Sequence, residues 1–205
     1  MEAILPSAFA DISIGKYWSV YYWLGVIQGS RMKRQFLGDS YDAVKRLWQE
    51  TLVERAPLLA EPRFIPEDIR RDFTAFTRIP VLANRRPPVY SILNDPDIGV
   101  RLPDRENQKE GLSHINLATI AGQVRNTEVR CVVTFDQSHH REPGFSLKDQ
   151  RNAKVLWLER KGLHAFYFVS HAPFLFTFSK RVHMKQARNL LLAAGVPDSR
   201  IKVPE

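Results

Sequence analysis

The sequence predicts an α+β protein: a helical N-terminal half packed with a mainly antiparallel β-meander and followed by a C-terminal amphipathic basic helix. Three observations carry that reading. Apolar residues recur at helical spacing in the segments 40–55 and 66–76. From Val129 the pattern changes to runs rich in Val, Phe, Tyr and Trp, each bounded by Gly, Pro or Asn. The last stretch, 180–194, lies between Ser179 and Gly195-Val-Pro197, which is the usual start and stop chemistry of a helix.

Taken in order, the first apolar run is "YWSVYYWLGVI" at 17–27. It is about half the length a bilayer span needs and carries three Tyr and two Trp, so it reads as core. The residues before it include Glu2 and Asp11 and show neither a basic leader nor a small-residue cleavage site, so no export signal is expected. Asp39 or Ser40 caps a helix reaching about Arg55, because Val44, Leu47, Trp48 and Leu52 fall on one face and Pro57 stops it. Pro66 opens a second, shorter helix with Ile69, Phe73 and Phe76 in line. Five prolines between Ile79 and Asp104 forbid a long regular element there but permit a short edge strand at "PVYSIL". A charged loop, "DRENQKEG", follows, and Ile115, Leu117, Ile120, Ala121 and Val124 predict a third helix capped near Ser113.

Four strands are expected next, "VRCVVTF", "AKVLWLE", "HAFYFVSH" and "PFLFTFS", with turns at Lys161-Gly162 and Ala172-Pro173. Runs this close together pair as antiparallel neighbours. The domain reading is a mostly helical segment 1–78, a Pro-rich connector or arm 79–112 and a basic α+β domain 113–205, or one domain throughout.

Composition narrows the function. With 44% hydrophobic and 25% charged residues the chain is an ordinary globular protein. Its single cysteine, Cys131, excludes an internal disulfide and a four-cysteine zinc site and favours a reducing, cytoplasmic setting. The net charge is +8, and its distribution is uneven: residues 141–205 hold 12 Lys or Arg against 5 acids. A one-sided basic field attracts phosphate polymers or acidic surfaces. On the last helix Arg181, Lys185 and Arg188 share a face, and the preceding segment adds Arg141, Lys148, Arg151, Lys154, Arg160 and Lys161. Aromatics interleave with these bases. Phe174, Phe176 and Phe178 line one strand face and read as core, whereas Tyr167 is the aromatic expected to be half exposed and able to stack on a base.

Catalytic patterns are sparse. No G-x-S-x-G elbow or phosphate-cradling glycine loop occurs, and Cys131 sits mid-strand. Asp136, His139 and His140 lie within five residues but lack the usual ligand spacing, and His164 and His171, seven apart, would face opposite sides of a strand. Asp136 followed about two dozen residues later by Glu159-x-Lys161 resembles the pattern of the PD-(D/E)xK nuclease superfamily. That resemblance implies Mg²⁺ held by strand-borne acids, with the lysine activating water; it covers three residues, and Asp136 is not preceded by proline.

The leading expectation is a non-catalytic, cofactor-free, cytoplasmic subunit or accessory factor of a nucleoprotein complex. Its partners would be nucleic acid and other protein subunits, with no membrane contact. RNA or single strands are favoured over duplex because no helix-turn-helix pair with a basic recognition helix is visible. The alternatives are a metal-dependent nuclease using Asp136, Glu159 and Lys161, and an interaction or inhibitor protein that meets an acidic protein surface.

Overall fold

The computed structural model describes residues 34, 37–105, 107–139 and 144–203. The aromatic run 17–27 and the residues His140 and Arg141 lie outside them. The class is α+β: among the described residues five α-helices pack on a mixed six-stranded sheet. Helices α1 (Ser40–Leu52), α2 (Arg70–Thr77), α3 (Leu117–Arg125), α4 (Leu147–Arg160) and α5 (Arg181–Ala193) alternate with β1 (Leu58–Ala60), β2 (Tyr90–Asn94), β5 (Val129–Phe135), β6 (His164–Phe168), β7 (Phe174–Phe178) and β8 (Ile201–Lys202). A separate parallel pair, β3 (Gly99–Val100) and β4 (His114–Ile115), sits between β2 and α3 in the chain.

The sheet order is β1-β2-β5-β7-β6-β8. Strands β1, β2 and β5 run parallel, and the pairings from β5 through β8 are antiparallel. The segment "PVYSIL" therefore supplies β2 between two neighbours, not at an edge. Its one proline, Pro88, and the preceding Pro87 come before the paired residues and so remove no ladder donor.

Strand register sorts the side chains. Val133 and Phe135 lie opposite Phe176 and Phe174, which in turn lie opposite Phe166 and Phe168. Because alternate residues share a face, these six point one way and Thr134, Ala165, Tyr167, Leu175 and Thr177 the other. Helix α1 covers the phenylalanine face. Trp48, fully buried, meets Phe168, Phe174 and Phe176 edge-on at 4.8, 5.9 and 5.4 Å between ring centroids. Helices α2 and α5 pack beside α1, while α3 and α4 cover the Tyr167 face. The expected core row Phe174, Phe176 and Phe178 is buried.

One expected strand is a helix. "AKVLWLE" is the C-terminal half of α4, which starts at the Ser146 cap, where Ser146 and Asp149 bond to each other's backbone N–H. Short apolar runs do not distinguish a buried strand from a buried helix by periodicity. Here two of the four inward residues of α4, Gln150 and Lys154, are polar, which hides the apolar stripe. The consequence is topological: α4 carries the chain past β7, so β6 runs parallel to β5 and the antiparallel β7 fills the gap. The Lys161-Gly162 step ends this helix, with Gly162 at φ +75°.

Candidate functional site

The inward face of α4 meets the carboxyl end of β5. Lys154, 1% exposed, places Nζ 2.7 Å from Asp136 Oδ2 and 2.7 Å from Ser138 Oγ. Tyr167 donates its hydroxyl to the same carboxylate at 2.6 Å, and the backbone N–H groups of Val100 and Ser138 reach Oδ1 at 2.9 and 3.2 Å. Burial pushes the Asp136 carboxyl up, but the Lys154 charge and the hydrogen bonds from Lys154, Ser138 and Tyr167 outweigh it and hold it below the usual carboxylate range. Burial, with Asp136 alongside, drives the Tyr167 phenol well above its ordinary value, so it stays a donor.

This network removes two residues from the expected binding set. Lys154 is neutralised by Asp136 instead of facing phosphate, and Tyr167 is buried instead of half exposed. Close approach of the β3 backbone completes the network. A Cβ on Gly99 would lie 2.3 Å from Asp136 Oδ1, and its φ of +139° is a glycine conformation. Gly99→Ala is therefore expected to destabilise the fold by about 2 kcal/mol, read as a lower urea midpoint.

A second buried charge cluster lies on the opposite layer at the end of β2. Lys45 of α1 reaches Asp42 Oδ1 at 3.0 Å and Asp95 Oδ2 at 2.7 Å, all three buried. Burial depresses the Lys45 ammonium, but the charges of Asp95 and Asp42 outweigh it and hold it above its usual value. Asp95 is pushed up by burial despite Lys45.

Beside the Asp136 network, a cavity of about 360 Å³ opens between α4, the end of β6 and β8. Lys148, Arg151 and Asn152 line it from the first turns of α4. Lys202 lines it from β8, where it lies opposite Tyr167 and so on the same face. Tyr167, Val155 and Val169 form an apolar floor. The Arg151 guanidinium sits 5.6 Å from the centre of the Tyr167 ring, and its Nε is shielded from solvent with no hydrogen-bond partner among the described residues. Among the described residues no carboxylate lines it. Three cations grouped in this way form a site for an anion, and the apolar floor is suited to a flat or aliphatic body.

The structure brings only part of the expected basic set together. Lys148 and Arg151 meet at this groove. Arg160 and Lys161 lie at the other end of α4, about 18 Å along its axis from Lys148. Lys161 holds its ammonium 5.5 Å from the Trp157 ring. Arg181 and Lys185 are exposed on α5, across the sheet, and Arg188 there pairs with Asp198 at 2.6 Å. A continuous basic face is thus replaced by two separated groups, because α4 and α5 cover opposite faces of the sheet.

The nuclease pattern loses its geometry for the same reason that "AKVLWLE" is helical. Glu159 and Lys161 occupy the end of α4, where a two-residue step turns about 200° and points side chains apart. Asp136 is held instead by Lys154. Among the described residues no group of three or more His, Cys, Asp or Glu could hold a metal ion. His171 packs its ring 5.5 Å from that of Tyr41, and His164 begins β6. His139 lines a smaller cavity of about 160 Å³ with His114 and Arg101.

Sequence reasoning missed Lys202 and the burial of Lys154. The Ser146-x-x-Asp149 capping box was the readable signal that a helix begins there. These features define an α+β protein with a cationic groove on one layer. Comparison with protein families, with curated proteins and with solved structures finds no match to this chain. Among the described residues no helix is long and apolar enough to cross a membrane.

Proposed function

We propose that the protein binds single-stranded nucleic acid, seating backbone phosphate in the α4 groove. The observation that supports this is the cavity lined by Lys148, Arg151 and Lys202, where among the described residues no carboxylate joins the lining and the buried Arg151 Nε has no hydrogen-bond partner. A guanidinium held over an aromatic ring is a fixed donor fork, and phosphate is the acceptor it fits best. Two lysines flank it on separate elements, so a chain of phosphates can cross the groove mouth. The apolar floor gives a sugar or base face somewhere to pack. The role is that of a binding component of a nucleoprotein assembly. A reducing, cytoplasmic setting accords with the one free, buried cysteine.

Fluorescence anisotropy with labelled oligouridylate and oligothymidylate across a salt series tests this reading. Three phosphate contacts on a single strand give a log–log salt slope of about −2. Arg151→Ala is expected to weaken binding about tenfold and to reduce that slope by about 0.7, with Lys148→Ala and Lys202→Ala acting in the same direction. The double variant Arg181→Ala, Lys185→Ala on the opposite layer should bind as the parent does. A flat salt response, or loss of binding in the α5 variant alone, overturns the proposal.

A further inference from the structure

A cavity on the α1 layer is lined by a buried donor that has no acceptor among the described residues. It measures about 350 Å³ and lies between the end of α1, α5 and the amino ends of β2 and β5. Leu52, Ala56, Phe178 and Ala187 give it apolar walls, and Cys131 and Ser91 lie at its buried base. Arg130 from β5 and His183 from α5 stand side by side in it, the guanidinium in contact with His183 Nε2.

That contact fixes the imidazole. A guanidinium only donates, so Nε2 is the acceptor and the ring proton resides on Nδ1. Burial, with Arg130 and Lys180 adding their charges, lowers the His183 pKa and keeps the ring in this neutral form. Nδ1 is shielded from solvent and has no hydrogen-bond partner among the described residues. An unmet donor of this kind is costly unless a ligand accepts from it. Arg55 and Glu54 at the rim offset each other, which leaves the charge of Arg130 as the surplus. Burial pushes the Cys131 thiol up, so the base of the cavity is a protonated, unreactive sulfur and not a nucleophile.

We infer that this cavity is a second ligand site, independent of the α4 groove, for a small monocarboxylate with an apolar tail, its carboxylate accepting from His183 Nδ1 and Arg130 and its tail lying among Leu52, Phe178 and Ala187. The volume is at the lower end of the ~300–1,000 Å³ typical of ligand pockets, which favours a short-chain acid over a nucleotide. Because the two sites lie on opposite faces of the sheet, failure of one leaves the other standing.

Isothermal titration and thermal shift with hexanoate, hexanol and hexylammonium on the full chain test the inference. Hexanoate is expected to bind saturably and to raise the melting temperature, while the alcohol and the amine at equal concentration do not. Arg130→Gln should weaken hexanoate at least tenfold, and Ala187→Leu, which fills the cavity from α5, should abolish binding while the protein stays folded. Equal responses to all three probes, no response to hexanoate, or unchanged affinity in a folded Arg130→Gln or Ala187→Leu protein overturns it. Should either variant fail to fold, the three probes on the native chain decide alone.

Discussion

Lys154→Met is expected to lower the unfolding free energy by about 3–5 kcal/mol at pH 7, measured by urea denaturation, because it strands a buried carboxylate. Asp136 is 1% exposed, and among the described residues no other cation is a hydrogen-bond partner of its carboxylate. Replacing both members, as Asp136→Asn with Lys154→Met, should recover most of the loss, since the cost lies in the unpaired charge and not in the missing pair. The pH dependence separates this cause from simple loss of packing. In the native protein the folded pKa of Asp136 lies below its unfolded value of about 3.9. Its contribution to stability is therefore fully present above that value and is lost as the pH falls through the folded pKa. Without Lys154 the folded pKa moves up, because the charge and hydrogen bond that offset burial are gone. The variant should therefore gain less stability than the parent as the pH rises through the acid range. A loss below about 1 kcal/mol, or a pH profile parallel to the parent, would show that the ion pair is not what holds α4 against β5.

The same residue marks where the sequence was legible and where it was not. Helix α1 could be read from its Asp39 cap and from Trp48 and Leu52, because those signals are local and the buried residues are apolar. The phenylalanine row of β7 and the final helix were legible for the same reason. Helix α4 was not. Its inward positions hold Gln150 and Lys154, whose burial depends on Asp136 and Ser138 arriving from a different strand. A lysine in a basic third of a chain reads as a solvent or phosphate contact until a carboxylate is placed next to it. The groove was half legible: Lys148 and Arg151 belong to one helix, whereas Lys202 joins them only through pairing of β8 with β6. Sheet order is likewise non-local, and the crossover that makes β6 parallel to β5 follows from α4 alone.

Lys45→Met is expected to be at least as damaging as Lys154→Met, about 3–5 kcal/mol or more at pH 7, because it strands two buried carboxylates. The informative partner experiment is Asp95→Asn. Lys45 carries one charge against Asp42 and Asp95, so this cluster has a buried negative surplus where the Asp136 pair is balanced. Burial raises the Asp95 pKa despite Lys45, which means that ionised Asp95 is disfavoured in the fold. Its contribution to stability is fully present below the unfolded value of about 3.9 and is lost as the pH rises through the folded pKa, the reverse of Asp136. Asparagine keeps an oxygen for the Lys45 hydrogen bond and removes the charge. Asp95→Asn should thus change stability by less than about 1 kcal/mol at pH 5 and become relatively more favourable by pH 8, read from urea midpoints at both values. A loss near that of Lys45→Met would instead make Asp95 the required counter-charge. The two clusters then divide the acid response between the layers. Parallel strands β2 and β5 each run into an aspartate met by a helix lysine, one from α1 and one from α4, and acidification loosens the α4 contact while relieving the α1 contact. The groove, whose Lys148 and Arg151 are carried by α4, should therefore lose its oligonucleotide at acid pH before the core unfolds.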